Sequence, residues 1–441
     1  MDRFLMNDLK KWAANTNRKP LIIKGARQVG KTWLMTEFGR SCFNDVFYLN
    51  FENTPGMDEL FAGDIQPMRI LDYLSALHGR RIVPGETLLI FDEVQEVPRA
   101  LTSLKYFAEE APEYAICCAG SILGIAMHRQ TSFPVGKVEF LTLEPISFEE
   151  YLMANHEQLL LEAVYSLSLE AIPAVFIQKL TDYLKQYFVV GGMPAAVVKW
   201  LETRDYDEVE KIQSAILESY EQDFSKHAPH NIVPKIRHIW HSLPAQLARE
   251  NKKFLYGLAR EGARAREYED ALLWLRDSGL IRQIYRISQP SIPLKAYVDT
   301  KAFKLYHLDI GLLRVMSELS PAIIVHSDAI FKEFKGAMTE QYVLQQMASL
   351  PEVSSVYYWA TEATAEIDFL FGYSNQVIPV EVKAGENLHA KSLRLYRDKY
   401  NPPVSVRTSL TNLHYNEGLL IIPLCVYFNL FRLIQKLPPG E

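Results

Sequence analysis

Two groups of residues in this chain have the types and spacing that chemistry needs. In "KPLIIKGARQVGKTWLM" an apolar run, Leu21 to Ile23, leads into Gly25, Ala26, Arg27, Gln28, Val29, Gly30, Lys31 and Thr32. These eight residues satisfy G-x-x-x-x-G-K-[ST] at every fixed position, and a helical pattern (Trp33, Leu34, Phe38) follows. Gly25 and Gly30 allow the backbone to curl until its N–H groups converge on a phosphate, and the helix N-terminus adds partial positive charge. Lys31 is expected to reach the β and γ phosphates, and the Thr32 hydroxyl to ligate Mg²⁺. A second apolar run, "TLLIFDEVQEV", ends in Asp92 and Glu93. Alone it could be an ordinary strand end with solvated acids. Downstream of a phosphate loop, Asp92 is expected to hold Mg²⁺ and Glu93 to orient or deprotonate the attacking water. A third run, "YAICCAGS", ends in Gly120-Ser121, which is either a plain turn or a polar tip that senses the γ phosphate.

The other group lies near the opposite end, in "EIDFLFGYSNQVIPVEVKAGE", Glu366 to Glu386. Asp368, Glu381 and Lys383 sit inside two strand-like apolar runs, where unpaired charges cost several kcal/mol. A hairpin centred between Ser374 and Asn375 places Asp368 opposite Glu381, close enough for the two to share an ion. Glu381 and Lys383, two apart, project from one strand face. An upstream helix, "KEFKGAMTEQYVLQQMA", adds Glu340 among apolar neighbours. Oxygen-rich clusters of this kind suit a second Mg²⁺ or a Mn²⁺, with the lysine beside a metal-bound water that attacks a phosphodiester. The bland alternatives are an ion-pair network that fixes the sheet, or a nucleic-acid docking fold that does not cut.

The elements that must hold these residues imply an α/β protein of more than one domain. A chain of 441 residues exceeds one ordinary core. With 48% hydrophobic residues, 23% charged residues and a net charge of −6, it reads as soluble and without an overall basic coat. Four cysteines without metal-ligand spacing point to a reducing compartment. The opening "MDRFLMNDLKKW" reads as a charged amphipathic helix, not a secretory signal. Pro423, Asn429 and Arg432 break the apolar run from Gly418, so the partners expected exclude a membrane and the location expected is the cytoplasm. From Phe148 to about Tyr220 the pattern is helical, interrupted by Gly191-Gly192-Met193-Pro194. The block that follows, ending "DSGLIRQIYRI", suggests a winged helix whose last helix runs from Arg264 to Asp277 and stops at Gly279. Lys252, Lys253, Arg260, Arg264, Arg266, Arg276, Arg282 and Arg286 make it basic enough for DNA phosphates, although interleaved acids equally suit a solvated or docking face.

The strings "GARQVGKT", "LLIFDEVQ", "AGSILG" and "VGKVEFLTLEPISFEEYL" together resemble a family of bacterial and archaeal AAA-type P-loop ATPases with a conserved, largely uncharacterised C-terminal half. The resemblance covers essentially the whole chain. It implies an ATP-binding domain with Ser121 in the sensor position. Many relatives have Gly-Arg where Gly136-Lys137 stands, which leaves Arg129 as the substitute arginine finger. Gly192 and Pro194 resemble the Gly-x-Pro element of related ATPases, in which a helical lid follows nucleotide state. Glu340, Ile367-Asp368 and Glu381-x-Lys383 resemble the PD-(D/E)XK nuclease core, with Ile367 in place of the usual proline. The domains expected are a P-loop ATPase (1–147), a helical lid (148–230), a winged-helix-like module (231–325) and a nuclease-like domain (326–441). The function expected is ATP binding and hydrolysis controlling a DNA-interacting, nuclease-like domain. The alternatives are a non-cleaving switch or scaffold that binds protein, DNA or its own copies, and a small-molecule P-loop kinase, to which a winged helix and this hairpin are foreign.

Overall fold

The computed structural model describes residues 1–120, 134–249, 252–326, 335–361, 365–383 and 391–438. The expected Ser121 and Arg129 lie outside them. The chain divides into two compact units, residues 1–144 with 277–280, and residues 145–276 with 281–441.

The first unit is built on five parallel strands, β1 (Leu21–Lys24), β2 (Asp45–Asn50), β3 (Thr87–Asp92), β4 (Ala115–Ala119) and β5 (Glu139–Thr142), in the order β2-β3-β4-β1-β5. Every residue of β3 and β4 is buried, as expected of strands covered on both faces, which explains why "TLLIFD" and "AICCA" read as unbroken apolar runs. Cys117 and Cys118 fill this core as free thiols. Because all five strands run the same way, their carboxyl ends share one edge, and the chemistry-bearing residues follow β1 and end β3 there. Helix α1 (Lys31–Cys42) starts directly from the glycine loop.

The second unit begins with α2 (Phe148–Ala154), whose N-terminus is closed by a reciprocal pair: Ser147 accepts from the Glu150 N–H, and Glu150 accepts from the Ser147 N–H. Helices α3 (Ala174–Val190), α4 (Pro194–Thr203), α5 (Tyr206–His227), α6 (Val233–Leu247) and α7 (Ala265–Asp277) follow. Eight strands form one sheet in the order β12-β13-β11-β10-β9-β8-β6-β7. They are β6 (Ile281–Ile287), β7 (Val298–His307), β8 (Tyr357–Ala360), β9 (Glu366–Tyr373), β10 (Gln376–Val382), β11 (Ser405–Ser409), β12 (His414–Asn416) and β13 (Leu419–Pro423). The β9–β10 turn has Ser374 and Asn375 at φ 47° and 60°, the left-handed pair of a tight hairpin. It sets the register Gln376↔Tyr373 through Val380↔Phe369, the pairing the hairpin reading expects. β11 then lies parallel to β10, joined by a connection that includes α10 (Lys391–Tyr400). Helix α8 (Ile310–Met316) follows β7, and α9 (Lys335–Ala348) precedes β8.

The middle of the chain departs from expectation. The helix at Ala265–Asp277, the left-handed Gly279 and the β6–β7 hairpin are all present, but β6 also pairs in parallel with β8. The hairpin is therefore one side of the eight-stranded sheet and not the free wing of a separate module. Ile281, Ile284 and Ile287 are buried on β6. The boundary expected at 325/326 falls within this second unit.

Candidate functional site

The glycine loop closes over its own lysine. Gly25 and Gly30 have φ 147° and 95°, and a Cβ on Gly25 would lie 2.3 Å from the Leu143 carbonyl oxygen. No larger residue fits at that position. The Lys31 ammonium donates to the Gly25 and Ala26 carbonyls at 2.9 and 2.8 Å, so the loop holds the cation with its own backbone. Burial lowers the Lys31 pKa to about 8, against the opposing charges of Glu93 and Asp92 and with the help of Arg27. Thr32 Oγ1 donates to Asp92 Oδ2 at 2.6 Å, which brings together the two expected Mg²⁺ ligands at the start of α1 and the end of β3. A hydroxyl and a carboxylate are hard oxygen donors, and this pair fits a magnesium ion. The next residue, Glu93, has φ 50° and accepts from Gln95 Nε2 at 2.7 Å.

The second group is built differently. Asp368, half-buried, accepts the Val382 N–H at 2.8 Å across the hairpin. Buried Glu381 pairs with Lys383 Nζ at 3.0 Å, as two residues on one strand face should, and lies 3.9 Å from Arg407 Nε on β11. Glu340 on α9 points into the same region, but both its oxygens are taken: Lys252 donates to one at 2.5 Å and the Tyr306 hydroxyl to the other at 2.8 Å. Lys304, fully buried on β7, lies 3.9 Å from Glu340 and also bonds Glu366. Burial disfavours the Glu340 carboxylate, yet Lys252 and Lys304 outweigh it and hold the group below its usual range. Asp368 goes the other way, to about 8, raised first by burial and then by Glu340, with Lys304 and Lys252 opposing. Lys252 and Lys304 thus face Glu340 from two sides, and Lys304 also faces Glu366. Among the described residues no group of three or more His, Cys, Asp or Glu could hold a metal ion. Glu340 and Glu381 do not fit a second Mg²⁺ or Mn²⁺ in this arrangement, because lysine ammoniums already take both carboxylates.

Residues 17–152 match the family model described as "AAA domain". The first unit, an α/β fold on a parallel sheet, resembles P-loop NTPases. Residues 181–322 and 335–427 match two models each described as a domain of unknown function, DUF8612 and DUF4143. No curated protein matches the chain by sequence. Among solved structures, the Walker-type ATPase PABY2304 of Pyrococcus abyssi is 15% identical over 71% of this chain and 95% of that one, with a TM-score of 0.45. The Orc1 protein of Aeropyrum pernix in complex with DNA is 13% identical over 72% and 93%, with a TM-score of 0.32. The RuvB Holliday junction branch migration motor of Thermotoga maritima is 13% identical over 63% and 88%, with a TM-score of 0.30. At such identities and TM-scores, none of the three says what this chain binds or does.

Beyond the AAA domain, the expected sensor element Gly192-Met193-Pro194 makes contacts within the second unit. The Gly192 N–H donates to Asp309 Oδ2 at 2.6 Å, and the Gly192 carbonyl accepts from Ile146 N at 2.7 Å. A Cβ on Gly192 would meet the Ile146 oxygen at 2.3 Å, and one on Gly191 would meet Asp309 Oδ1 at 2.3 Å. Pro194 opens α4. Close packing therefore leaves no room for a side chain at either glycine. Lys252, grouped by sequence with the basic face, belongs instead to the buried cluster, and Arg286 is paired with Asp299 at 2.6 Å. Sequence reasoning missed Lys304, Tyr306 and Glu366. The signal for Lys304 was available: a lysine in "AFKLYH", flanked by apolar residues, needs a buried partner. Among the described residues no helix is long and apolar enough to cross a membrane.

Proposed function

We propose that this chain binds and hydrolyses ATP through the AAA domain, and that nucleotide state controls a DNA-contacting, nuclease-like second unit. The observation that carries the first part is the Thr32–Asp92 contact beneath a glycine loop that holds Lys31. ATP would draw the Lys31 ammonium from the Gly25 and Ala26 carbonyls onto its phosphates. Thr32 and Asp92 would hold the Mg²⁺, which when bound neutralises phosphate charge. Glu93 would orient the attacking water and take its proton, with Gln95 fixing the carboxylate. Ser121 is proposed as the polar tip beside the phosphates, and Gly192 and Pro194 as the element that follows nucleotide state. The test is phosphate release from ATP and Mg²⁺: Lys31→Ala should abolish it, and hydrolysis that survives would overturn the assignment.

For the second unit, a helix bearing Glu340 followed by β8, β9, β10, a helix and a parallel β11 supports a nuclease-like fold. Exposed Lys253, Arg260, Arg264 and Arg266 support contact with a phosphate backbone. The second reading, a unit that binds DNA or protein without cutting, is favoured by the occupancy of Glu340 by Lys252 and Tyr306. Plasmid incubated with Mg²⁺ or Mn²⁺ and ATP separates the two. Nicking that Asp368→Ala abolishes would restore cleavage, and its absence leaves the binding reading.

A further inference from the structure

We propose that Tyr48 is a positioning residue of the magnesium site, holding Asp92 in the orientation that the ion requires. The inference rests on the reading of the AAA domain as a Mg²⁺–ATP site. β2 lies beside β3 in parallel register, with Asn50 opposite Asp92, so the residue two before Asn50 projects from the same face toward that strand end. The Tyr48 hydroxyl donates to Asp92 Oδ2 at 2.9 Å, the same oxygen that receives Thr32 Oγ1 at 2.6 Å. The other oxygen, Oδ1, accepts the Glu93 N–H at 3.1 Å. Both carboxylate oxygens are therefore engaged, and the plane of the group is fixed by three donors.

Packing does not account for Tyr48. The residue is 42% exposed, and its contact of note is the tip of the side chain. Asn50 Nδ2 donates to the Tyr48 oxygen at 3.4 Å, which leaves the phenolic proton to point at Asp92. With Thr32 Oγ1 given over to the ion, Tyr48 would still hold Asp92 Oδ2. Hydrogen bonds to a metal ligand from its surroundings orient it, and their loss commonly costs ten- to a hundred-fold in metal affinity.

The test is a titration of Mn²⁺ into the full chain with a non-hydrolysable ATP analogue present, with free Mn²⁺ read by electron paramagnetic resonance. Tyr48→Phe removes only the hydroxyl. It is expected to weaken Mn²⁺ binding about tenfold, while affinity for the analogue in EDTA, which reads nucleotide alone, matches the wild type. Equal Mn²⁺ affinity in the two proteins overturns the proposal and leaves the nucleotide site standing. A wild-type chain that binds neither analogue nor Mn²⁺ overturns both.

Discussion

Replacing Lys252 by Met tests whether the buried cluster of the second unit is held together by its own lysines. The methionine keeps the apolar stem and removes the ammonium that lies 2.5 Å from Glu340. Breaking a buried pair by deleting one partner costs about 3–5 kcal/mol, because the remaining charge is left in a poor solvent. Glu340 keeps Tyr306 at 2.8 Å and Lys304 at 3.9 Å, so the lower end, about 3 kcal/mol, is expected. At roughly 2 °C per kcal/mol for a large domain, the unfolding midpoint of this unit should fall by about 6 °C in calorimetry. The double variant Lys252→Met, Glu340→Gln removes both charges and should recover part of that loss, giving a coupling energy of about 2 kcal/mol in the cycle. A midpoint within a degree of wild type, or two losses that simply add, would refute the claim that Lys252 is the buried counter-ion of Glu340.

Three further outcomes follow from the geometry. Glu93→Gln should slow single-turnover ATP hydrolysis by about 10²- to 10⁴-fold while leaving nucleotide binding measurable, and a rate within tenfold of wild type would remove Glu93 from the proton-accepting role. Because burial depresses Lys31 to about 8, the nucleotide-free protein loses that proton as pH rises past 8. Phosphate selects the ammonium form, so ATP affinity in calorimetric titrations should be flat below that pH and fall by up to about tenfold per unit above it. Lys31→Arg, which stays charged, should lack the dependence. Gly192→Ala would place a Cβ 2.3 Å from the Ile146 carbonyl and should cost about 1–3 kcal/mol; an unchanged unfolding midpoint would show that this contact relaxes freely.

What was legible in the sequence was local. The phosphate loop is a contiguous string, the acidic end of β3 follows one unbroken apolar run, and the β9–β10 register follows from a two-residue turn. What escaped was set by residues far apart in the chain. Lys252 and Glu340 are 88 positions apart, and nothing near either one announces the other. Lys252 therefore read as one more surface cation in a basic block. In the same way, β6 and β7 carry the pattern of a hairpin, and only the parallel pairing of Arg286 with Tyr358 shows which sheet they complete. Tyr48 was invisible for a further reason: its contribution is the reach of one hydroxyl along a neighbouring strand, which alternation of apolar and polar residues does not encode.

Helix α9 carries more than Glu340. Gln345, about one and a half turns further along, donates to Asp309 Oδ2 and the Tyr187 hydroxyl at 2.9 and 3.0 Å, and Gln346 accepts the Phe148 N–H at 2.8 Å. Tyr187 in turn donates to the Ile146 carbonyl at 2.5 Å. Ile146 is the second residue after Glu144, where the first unit hands the chain over. The helix is thus clamped at that handover and also bears the most heavily bonded acid of the distant cluster. Such a rod has little freedom to bend, since every bond at the clamp is buried. A displacement at Ile146 would reach Glu340 within this unit as a shift or rotation of the whole helix, like a key turned by its bow.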